Sequence, residues 1–247
     1  RVAVLPGLRD RLSGDDLATS VFDAYAEFAG APRAVPEHVR PSRIPLLVKL
    51  DSRKTPGGVL MLQIEAVAQG SGVLYPVPGV PFWLERDFRE SAAEALRLAE
   101  EVTGHVLADA DVALRYSLTC LYPDRITLPL RGNSAQLGFY LACKDVLSRL
   151  AGGHGIQFDS GIAVTGALAR PVEGAGPVNV AAVGEINHKC LAARDQGCRG
   201  ILLPQDNIRE AEASLPLTPN KPAIHPCRTV EEAEDLVTGV VPALIQY

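Results

Sequence analysis

The strongest pattern in the chain is a segment near its middle that is apolar around most of its circumference. Residues 135–150 read AQLGFYLACKDVLSRL, and polar side chains are rare in the first half of this segment. A helix at the surface has an apolar stripe and a polar face, whereas a helix that is apolar all round is buried. The pattern therefore predicts a core helix, which ends at Gly152 and Gly153.

Another segment has the spacing of an amphipathic helix. It begins at Asp87, which forms a variant capping box with Glu90, and it ends at Gly104. Its apolar positions are Phe88, Ala92, Ala95, Ala99 and Val102. We expect these side chains to face the core.

Two shorter helices are predicted in the last third of the chain. Residues 185–196 form one, closed by Gly197. Thr229 and Glu232 form a capping box that opens the other.

Between the helices, apolar and polar residues alternate as in half-buried strands. The longest alternation covers residues 59–69, after a turn predicted at Gly57 and Gly58. Shorter strands are predicted at residues 45–50, 111–119, 126–130, 162–165, 178–183 and 199–203. Because strands and helices are interspersed without strict alternation, we predict an α+β fold, that is, an α/β arrangement around a mixed sheet.

The first part of the chain differs from the rest. Residues 16–29 have a helical apolar stripe, and four prolines follow, the last of them Pro45 at the start of the first predicted strand. We therefore predict two regions, a helical arm with a proline-rich connector at residues 1–44 and one domain at residues 45–247.

Composition excludes several classes of protein. Of the 247 residues, 47% are apolar and 21% are charged, which is typical of a folded globular protein and not of a disordered chain. The net charge of −5, without a long basic run, argues against nucleic-acid binding. No apolar stretch approaches the roughly 20 residues that a membrane helix needs, so we expect no membrane partner.

The five cysteines are scattered, which indicates core residues in a reducing compartment rather than disulfides or a zinc site. The N-terminal residues lack the apolar segment of a signal peptide, and we expect a cytoplasmic protein. The chain begins with Arg1, so we expect a processed product or a part of a longer polypeptide.

Most motifs that carry chemistry are missing from the sequence. It contains no P-loop, no dinucleotide-binding glycine pattern and no HExxH zinc motif. The five histidines have no metal-ligand spacing, and we interpret each as a surface or capping residue.

One candidate site lies where a predicted strand turns into the buried helix. The turn reads Arg131-Gly132-Asn133-Ser134-Ala135-Gln136. Unpaired N–H groups at a helix N-terminus can stabilise an oxyanion next to a serine nucleophile. The alternative is that Ser134 only caps the helix, because serine is a common N-cap.

A second candidate is Lys189 in the predicted helix 185–196. Ile186, Cys190, Ala193 and Gly197 form a narrow apolar stripe on this helix, and Lys189 lies beside it. A lysine that is partly buried has a lowered pKa and can act as a general base. The alternative is a lysine whose stem covers the core edge while its amine reaches water.

Together these segments resemble the proteolytic domain of the Lon protease family. The family has a Pro-Ser-Ala-Gly turn, a strand ending in Thr-Gly-Glu, a Gly-Gly-x-x-x-Lys helix with Leu-Ala-Ala, and a strand leading into Pro and x-x-Asn. The matching residues are 133–136, 164–167, 183–193 and 200–207, in the same order and with similar spacing except for an insertion near residues 170–178. The resemblance covers roughly residues 45–245.

The resemblance implies the Lon proteolytic fold, which is similar to the second domain of a small-subunit ribosomal protein. It implies a serine endopeptidase in which Ser134 is the nucleophile, Lys189 the general base and Thr165 a residue that orients the lysine. Asn133, Ala135 and Arg131 are the supporting residues of the serine turn, where backbone N–H groups form the oxyanion hole.

The resemblance also implies partners. The substrate would be polypeptide, the assembly a homo-oligomeric ring, hexameric in the family, and an ATPase or regulatory module would work with it. No metal or cofactor is expected in this chain itself, and ATP would act through a partner or another domain.

The sequence departs from the family pattern at several positions. Arg131 stands where many members have an acid, Asn133 replaces proline and Gln136 replaces glycine. Ala167 replaces a glutamate and Glu185 a glycine. Two other functions therefore stay open: a non-catalytic oligomerisation or scaffold module of the same fold, and a serine hydrolase that does not cleave peptides.

Overall fold

The computed structural model describes residues 39–50, 57–68, 72–77, 83–107, 112–120, 129–170, 176–215 and 220–238. The predicted helix at residues 16–29 and most of the predicted strand at residues 126–130 lie outside these ranges. Within the described residues the chain forms eleven strands and five α-helices.

A seven-stranded mixed sheet is the centre of the fold. Its strands are β1 (Ser42–Lys49), β2 (Gly57–Ala68), β3 (Leu74–Pro76), β5 (Val112–Cys120), β7 (Ile162–Val164), β10 (Gly200–Pro204) and β11 (Ala223–Cys227). They are ordered β11-β10-β7-β1-β2-β5-β3. β1 runs antiparallel to β2 and parallel to β7, which confirms the predicted mixed sheet.

Two short strand pairs lie outside this sheet. β4 (Trp83–Leu84) pairs with β6 (Pro129–Leu130) in parallel, and β8 (Ala167–Ala169) pairs with β9 (Asn179–Ala181) in antiparallel orientation. β6 directly precedes the turn that contains Ser134, and β8 begins two residues after Thr165.

Helices cover both faces of the sheet. They are α1 (Arg86–Thr103), α2 (Gln136–Leu150), α3 (Ile186–Asp195), α4 (Ile208–Ser214) and α5 (Val230–Val237), with a 3₁₀ turn, Gln205–Asn207, before α4. Buried side chains of α1, α2 and α5 form one hydrophobic cluster, and those of α3 and α4 form a second one. Within the described residues, no helix combines the length and the apolar character needed to cross a membrane.

The alternation of strand side chains explains the two clusters. On β1, Ile44, Leu46 and Val48 belong to the first cluster and Leu47 to the second. Successive strand residues point to opposite faces, so an uninterrupted apolar strand supplies both cores. Each fully buried aliphatic side chain stabilises the fold by roughly 1.5–3 kcal/mol through loss of water contact.

The buried helix, predicted at residues 135–150, is confirmed as α2. Eleven of its residues are buried, including Leu137, Phe139, Tyr140, Leu141 and Cys143. Asp145, which is also fully buried, pairs with Arg149 at 2.8 Å.

The turn predicted at Gly57 and Gly58 is wrong, because both glycines belong to β2. A Cβ on Gly57 would lie 2.2 Å from the His188 carbonyl oxygen, and one on Gly58 would lie 2.7 Å from Leu50 Cδ1. The glycines are therefore needed for the close approach of neighbouring elements and not for a change of chain direction.

The capping box predicted at Asp87 and Glu90 is also wrong. The N-cap of α1 is Glu85, and no side chain caps this helix end. Val102, predicted to face the core, is 45% exposed. The helix does end at Gly104 with a left-handed φ of 65°, as predicted.

The second capping box, at the start of α5, is confirmed. The Glu232 N–H donates to Thr229 Oγ1 at 3.3 Å, and the Arg228 N–H donates to the Glu232 carboxylate at 2.7 Å.

Candidate active site

Ser134 lies in the turn that connects β6 to α2. Ala135 occupies the N-cap position of α2, and no side chain caps this helix. The alternative that Ser134 merely caps the helix is therefore wrong. Ser134 is half-buried between the exposed Asn133 and the buried Ala135.

The backbone of this turn is held by the connection between β7 and β8. The Ser134 carbonyl accepts a hydrogen bond from Gly166 N–H at 2.8 Å and another from Thr165 Oγ1 at 3.1 Å. The Leu137 N–H donates back to the Gly166 carbonyl at 3.0 Å. These three bonds fix the serine turn against residues 165–166, so Ser134 and Thr165 are brought into direct contact.

A side chain from α1 holds the other end of the turn. Asp87 Oδ2 accepts a hydrogen bond from Gly132 N–H at 2.7 Å, while its Oδ1 accepts from Phe88 N–H at 2.7 Å. Gly132 has a φ of 81°, a left-handed conformation that glycine adopts without strain. Arg131, next to Gly132, is exposed. An acid therefore contacts this turn from α1, although Arg131 stands where many family members have an acid.

Lys189 lies on α3 and is only 2% exposed. Burial lowers the pKa of its amine to about 8, although the charge of Glu185, a Cys190 thiolate and Glu210 each oppose this shift. The alternative of a lysine that extends its amine into water is wrong, since such a lysine would be exposed at its tip. Within the described residues, no carboxylate forms an ion pair with Lys189.

The connection between β7 and β8 is hydrogen-bonded to the serine turn, and the next residue, Ala167 of β8, belongs to the core cluster that includes α3. Thr165 is fully buried, and Gly166 is bonded to the serine turn as described above. Ala167 packs in the second cluster together with Ile186 and Cys190, which are close neighbours of Lys189 on α3. Residues 165–167 thus combine hydrogen bonds to the serine turn with a member of the cluster that contains α3.

Several residues that support the site were not predicted to do so. Asn207 is buried, and its amide makes two hydrogen bonds with the backbone of Val183, at 2.9 and 3.0 Å, in the loop before α3. Gln136 Oε1 accepts from Leu168 N–H at 2.9 Å and joins α2 to β8. The signal for Asn207 was its place in the x-x-Asn pattern, and for Gln136 its departure from glycine.

Metal ligands do not gather in the part of the chain that the structure describes. There, no group of three or more His, Cys, Asp or Glu residues could hold a metal ion. All five cysteines are free, and Cys143, Cys190 and Cys227 are buried in the core.

The family model of the Lon protease (S16) C-terminal proteolytic domain matches residues 26–238. No curated protein matches the chain significantly. The family match includes the serine turn, Thr165 and the helix of Lys189.

Proposed function

The chain belongs to the Lon protease (S16) family of serine peptidases, and we propose that it is an endopeptidase that uses Ser134 and Lys189 as a catalytic dyad. Ser134 is the nucleophile and Lys189 the general base in this proposal. Thr165 orients the site, and the backbone N–H groups near Ser134 and Ala135 stabilise the oxyanion.

The observation that carries the proposal is the burial of the Lys189 amine. A buried amine without an ion pair in the described residues costs stability, and such groups cluster at functional sites. A pKa of about 8 leaves part of the amine neutral near neutral pH, as a general base requires. Thr165 and Gly166 are also hydrogen-bonded to the serine turn, and Ala167 belongs to the hydrophobic cluster of the lysine helix.

The chemistry follows the serine–lysine form of nucleophilic catalysis. Neutral Lys189 accepts the proton of the Ser134 hydroxyl while the Ser134 oxygen attacks the peptide carbonyl carbon. Helix-end N–H groups stabilise the negative oxygen of the tetrahedral intermediate. The ammonium of Lys189 then protonates the leaving amine, and an acyl ester on Ser134 remains.

Water completes the cycle. Lys189, neutral again, accepts a proton from a water molecule that attacks the ester carbonyl. The second tetrahedral intermediate collapses, the carboxylic acid product leaves, and Ser134 recovers its proton. Neither half of the cycle uses a metal or an organic cofactor.

The wider assignments are proposals drawn from the family. The substrate is polypeptide, and the chain works as a homo-oligomeric ring with an ATPase or regulatory module that delivers substrate. ATP acts through that module, and the protein is cytoplasmic.

The test is hydrolysis of a fluorogenic peptide, together with labelling by a serine-reactive phosphonate. We expect the parent chain to cleave the peptide and to be labelled at Ser134, whereas Ser134→Ala is neither active nor labelled. Lys189→Arg is expected to be inactive, because a guanidinium does not deprotonate near neutral pH. Lys144→Arg is the matched control, since Lys144 pairs with Glu234 at 2.6 Å on α2 and should tolerate the change.

Three outcomes would contradict the proposal. Activity in Lys189→Arg would exclude Lys189 as the base. A folded parent chain without labelling and without hydrolysis would favour the scaffold function. Labelling of Ser134 together with hydrolysis of an ester but not of a peptide would favour a serine hydrolase that does not cleave peptides.

A further inference from the structure

Glu185 has an unusual backbone conformation at the start of the helix that carries Lys189. Its φ is 61°, and it is the only residue other than glycine with a positive φ in the described ranges. Non-glycine residues are uncommon in this region, and they persist where the surrounding structure holds them. The family pattern has a glycine at this position, so the glutamate replaces a residue that would adopt the conformation without strain.

The Glu185 side chain joins a strand to the helix. Its Oε1 accepts a hydrogen bond from Lys49 Nζ at 2.8 Å, and its Oε2 lies 3.0 Å from His188 Nδ1. Lys49 is the last residue of β1, and His188 is in the first turn of α3. The Lys189 N–H donates to the Glu185 carbonyl at 3.2 Å, so the backbone of Glu185 also opens the helix.

Few charged groups surround the Lys189 amine. The carboxylates of Glu185, at the N-cap of α3, and of Glu210 in α4 act on its charge, and Cys190 does so only as a thiolate, while Lys49 pairs with Glu185. Burial lowers the Lys189 pKa, and the Glu185 carboxylate is the largest of the opposing influences. Relative to the glycine of the family pattern, Glu185 therefore adds a negative charge as well as side-chain contacts with Lys49 and His188.

We propose that Glu185 is a positioning residue for the reaction of Ser134 and Lys189: held by Lys49 and His188, it fixes the first turn of α3 and supplies a negative charge beside the buried amine. This inference rests on the proposed function. Its consequence is that the reaction needs a more alkaline pH than it would with glycine or glutamine at this position.

Two substitutions separate this role from a purely structural one. Glu185→Gln and Lys49→Met both remove the 2.8 Å ion pair. If Glu185 only held the first turn of α3 in place, the two substitutions would therefore have the same effect on the pH profile. Our proposal requires different responses, because the first substitution removes an anion and the second removes a cation.

The measurement is the pH profile of kcat/KM for a fluorogenic peptide. For Glu185→Gln we expect the apparent pKa of the acidic limb to fall by about half a unit, which raises kcat/KM at pH 7 about 2- to 3-fold. For Lys49→Met we expect the same limb to stay in place or to move to higher pH. Glu210→Gln should move it down by less than Glu185→Gln does.

A measurement that does not depend on catalysis separates a failure of the proposed peptidase function from a failure of the proposed role of Glu185. Titration of the ¹³Cε-lysine NMR signal of Lys189, assigned by its absence in Lys189→Met, reports the pKa of the amine even if the chain cleaves no peptide. An inactive parent chain would contradict the proposed function, and the titration would then decide the role of Glu185 alone.

Glu185→Gly covers the case in which Glu185→Gln does not fold. It removes the charge and restores the residue that suits a φ of 61°. We expect it to fold and to lower the Lys189 pKa as Glu185→Gln does. An unchanged Lys189 titration in a folded variant at position 185, or an equal downward shift in Lys49→Met, would overturn the inference.

Discussion

Asp145 and Lys189 are the buried acidic and basic side chains in the described part of the chain, and their surroundings differ. Asp145 accepts a hydrogen bond from Ile156 N–H at 2.6 Å and pairs with Arg149 at 2.8 Å. Lys189 has no such ion pair among the described residues. Buried charges with partners fit a structural role, whereas a buried amine without one is kept at a cost to stability.

That cost predicts how stability changes with pH. The folded pKa of Lys189, about 8, lies below its ordinary value of 10.5, so the unfolded chain binds the proton more tightly. The penalty is complete below pH 8 and disappears as the pH rises through about 10.5. It amounts to something on the order of 3 kcal/mol.

We therefore expect Lys189→Met to be more stable than the parent chain at pH 6. The gain in the free energy of unfolding should be on the order of 2–3 kcal/mol and should shrink between pH 8 and pH 10.5. Urea unfolding at several pH values measures it. Lys144→Met is the control and should lose stability, because it leaves Glu234 without its partner at 2.6 Å. A parent chain that is more stable than Lys189→Met at pH 6 would contradict the burial argument.

The Asp87 carboxylate holds one end of the serine turn through the Gly132 N–H. Asp87→Ala removes the acceptor of the Gly132 N–H and loosens the serine turn at one end. We expect kcat to fall about 10-fold with little change in KM, because alignment of the nucleophile contributes to the rate and not to binding. Arg86→Ala, which removes only the exposed pair with Glu90, should keep its activity. Equal kcat values for the two variants would show that Asp87 does not align the turn.

At the scale of elements, the placement of α3 against β2 depends on Gly57. Gly57 faces the backbone of His188, the residue before Lys189, while Gly58 faces the end of the Leu50 side chain. A backbone atom cannot move without the helix, whereas a side-chain end can rotate away. Neither glycine has a positive φ, so the close approach alone explains them.

The adjacent glycines form a matched pair for mutation. Gly57→Ala should lower the free energy of unfolding by about 1–3 kcal/mol, and Gly58→Ala should lower it by less. Gly57→Ala should also reduce kcat/KM, because α3 must shift and Lys189 shifts with it. Urea unfolding and peptide hydrolysis measure the two effects. If Gly58→Ala were the more destabilising variant, the packing of α3 on β2 would not explain why a glycine occupies position 57.

At the scale of the whole molecule, the two candidate residues belong to different helical layers. The serine turn opens α2 in one layer, the lysine is on α3 in the other, and residues 165–167 follow the end of β7. The exposed large apolar residues in the described ranges are Val73, Val102 and Val106. Single exposed apolar residues are ordinary, so an assembly must be argued from the family.

The family predicts self-association. We expect sedimentation velocity at micromolar concentration to detect a species several times heavier than the 26.3 kDa chain. A sixfold mass would agree with the hexameric ring of the family. A monomer at every concentration and salt condition would contradict the ring but not the peptidase chemistry, which the labelling of Ser134 tests separately.

The sequence by itself determined most of the elements and the candidate residues. The apolar circumference of α2, the alternation in β2 and the capping box at Thr229 are local patterns, and local patterns follow from helix and strand geometry. The motif order identified the family, Ser134 and Lys189, although the catalytic roles of these residues remain proposals. The arm predicted at residues 1–44 and the boundary at residue 45 also remain predictions.

Only the tertiary structure decided what distant residues do for one another. Gly57 and Gly58 have the sequence of a turn, but both lie in β2, and α3 packs so closely that a side chain at position 57 would meet the His188 carbonyl. Asp87 has the sequence of a cap, but its carboxylate bonds to Gly132, 45 residues away along the chain. The burial of Lys189 and the clamp on Glu185 likewise depend on contacts between elements that are far apart in sequence, and no local pattern encodes such contacts.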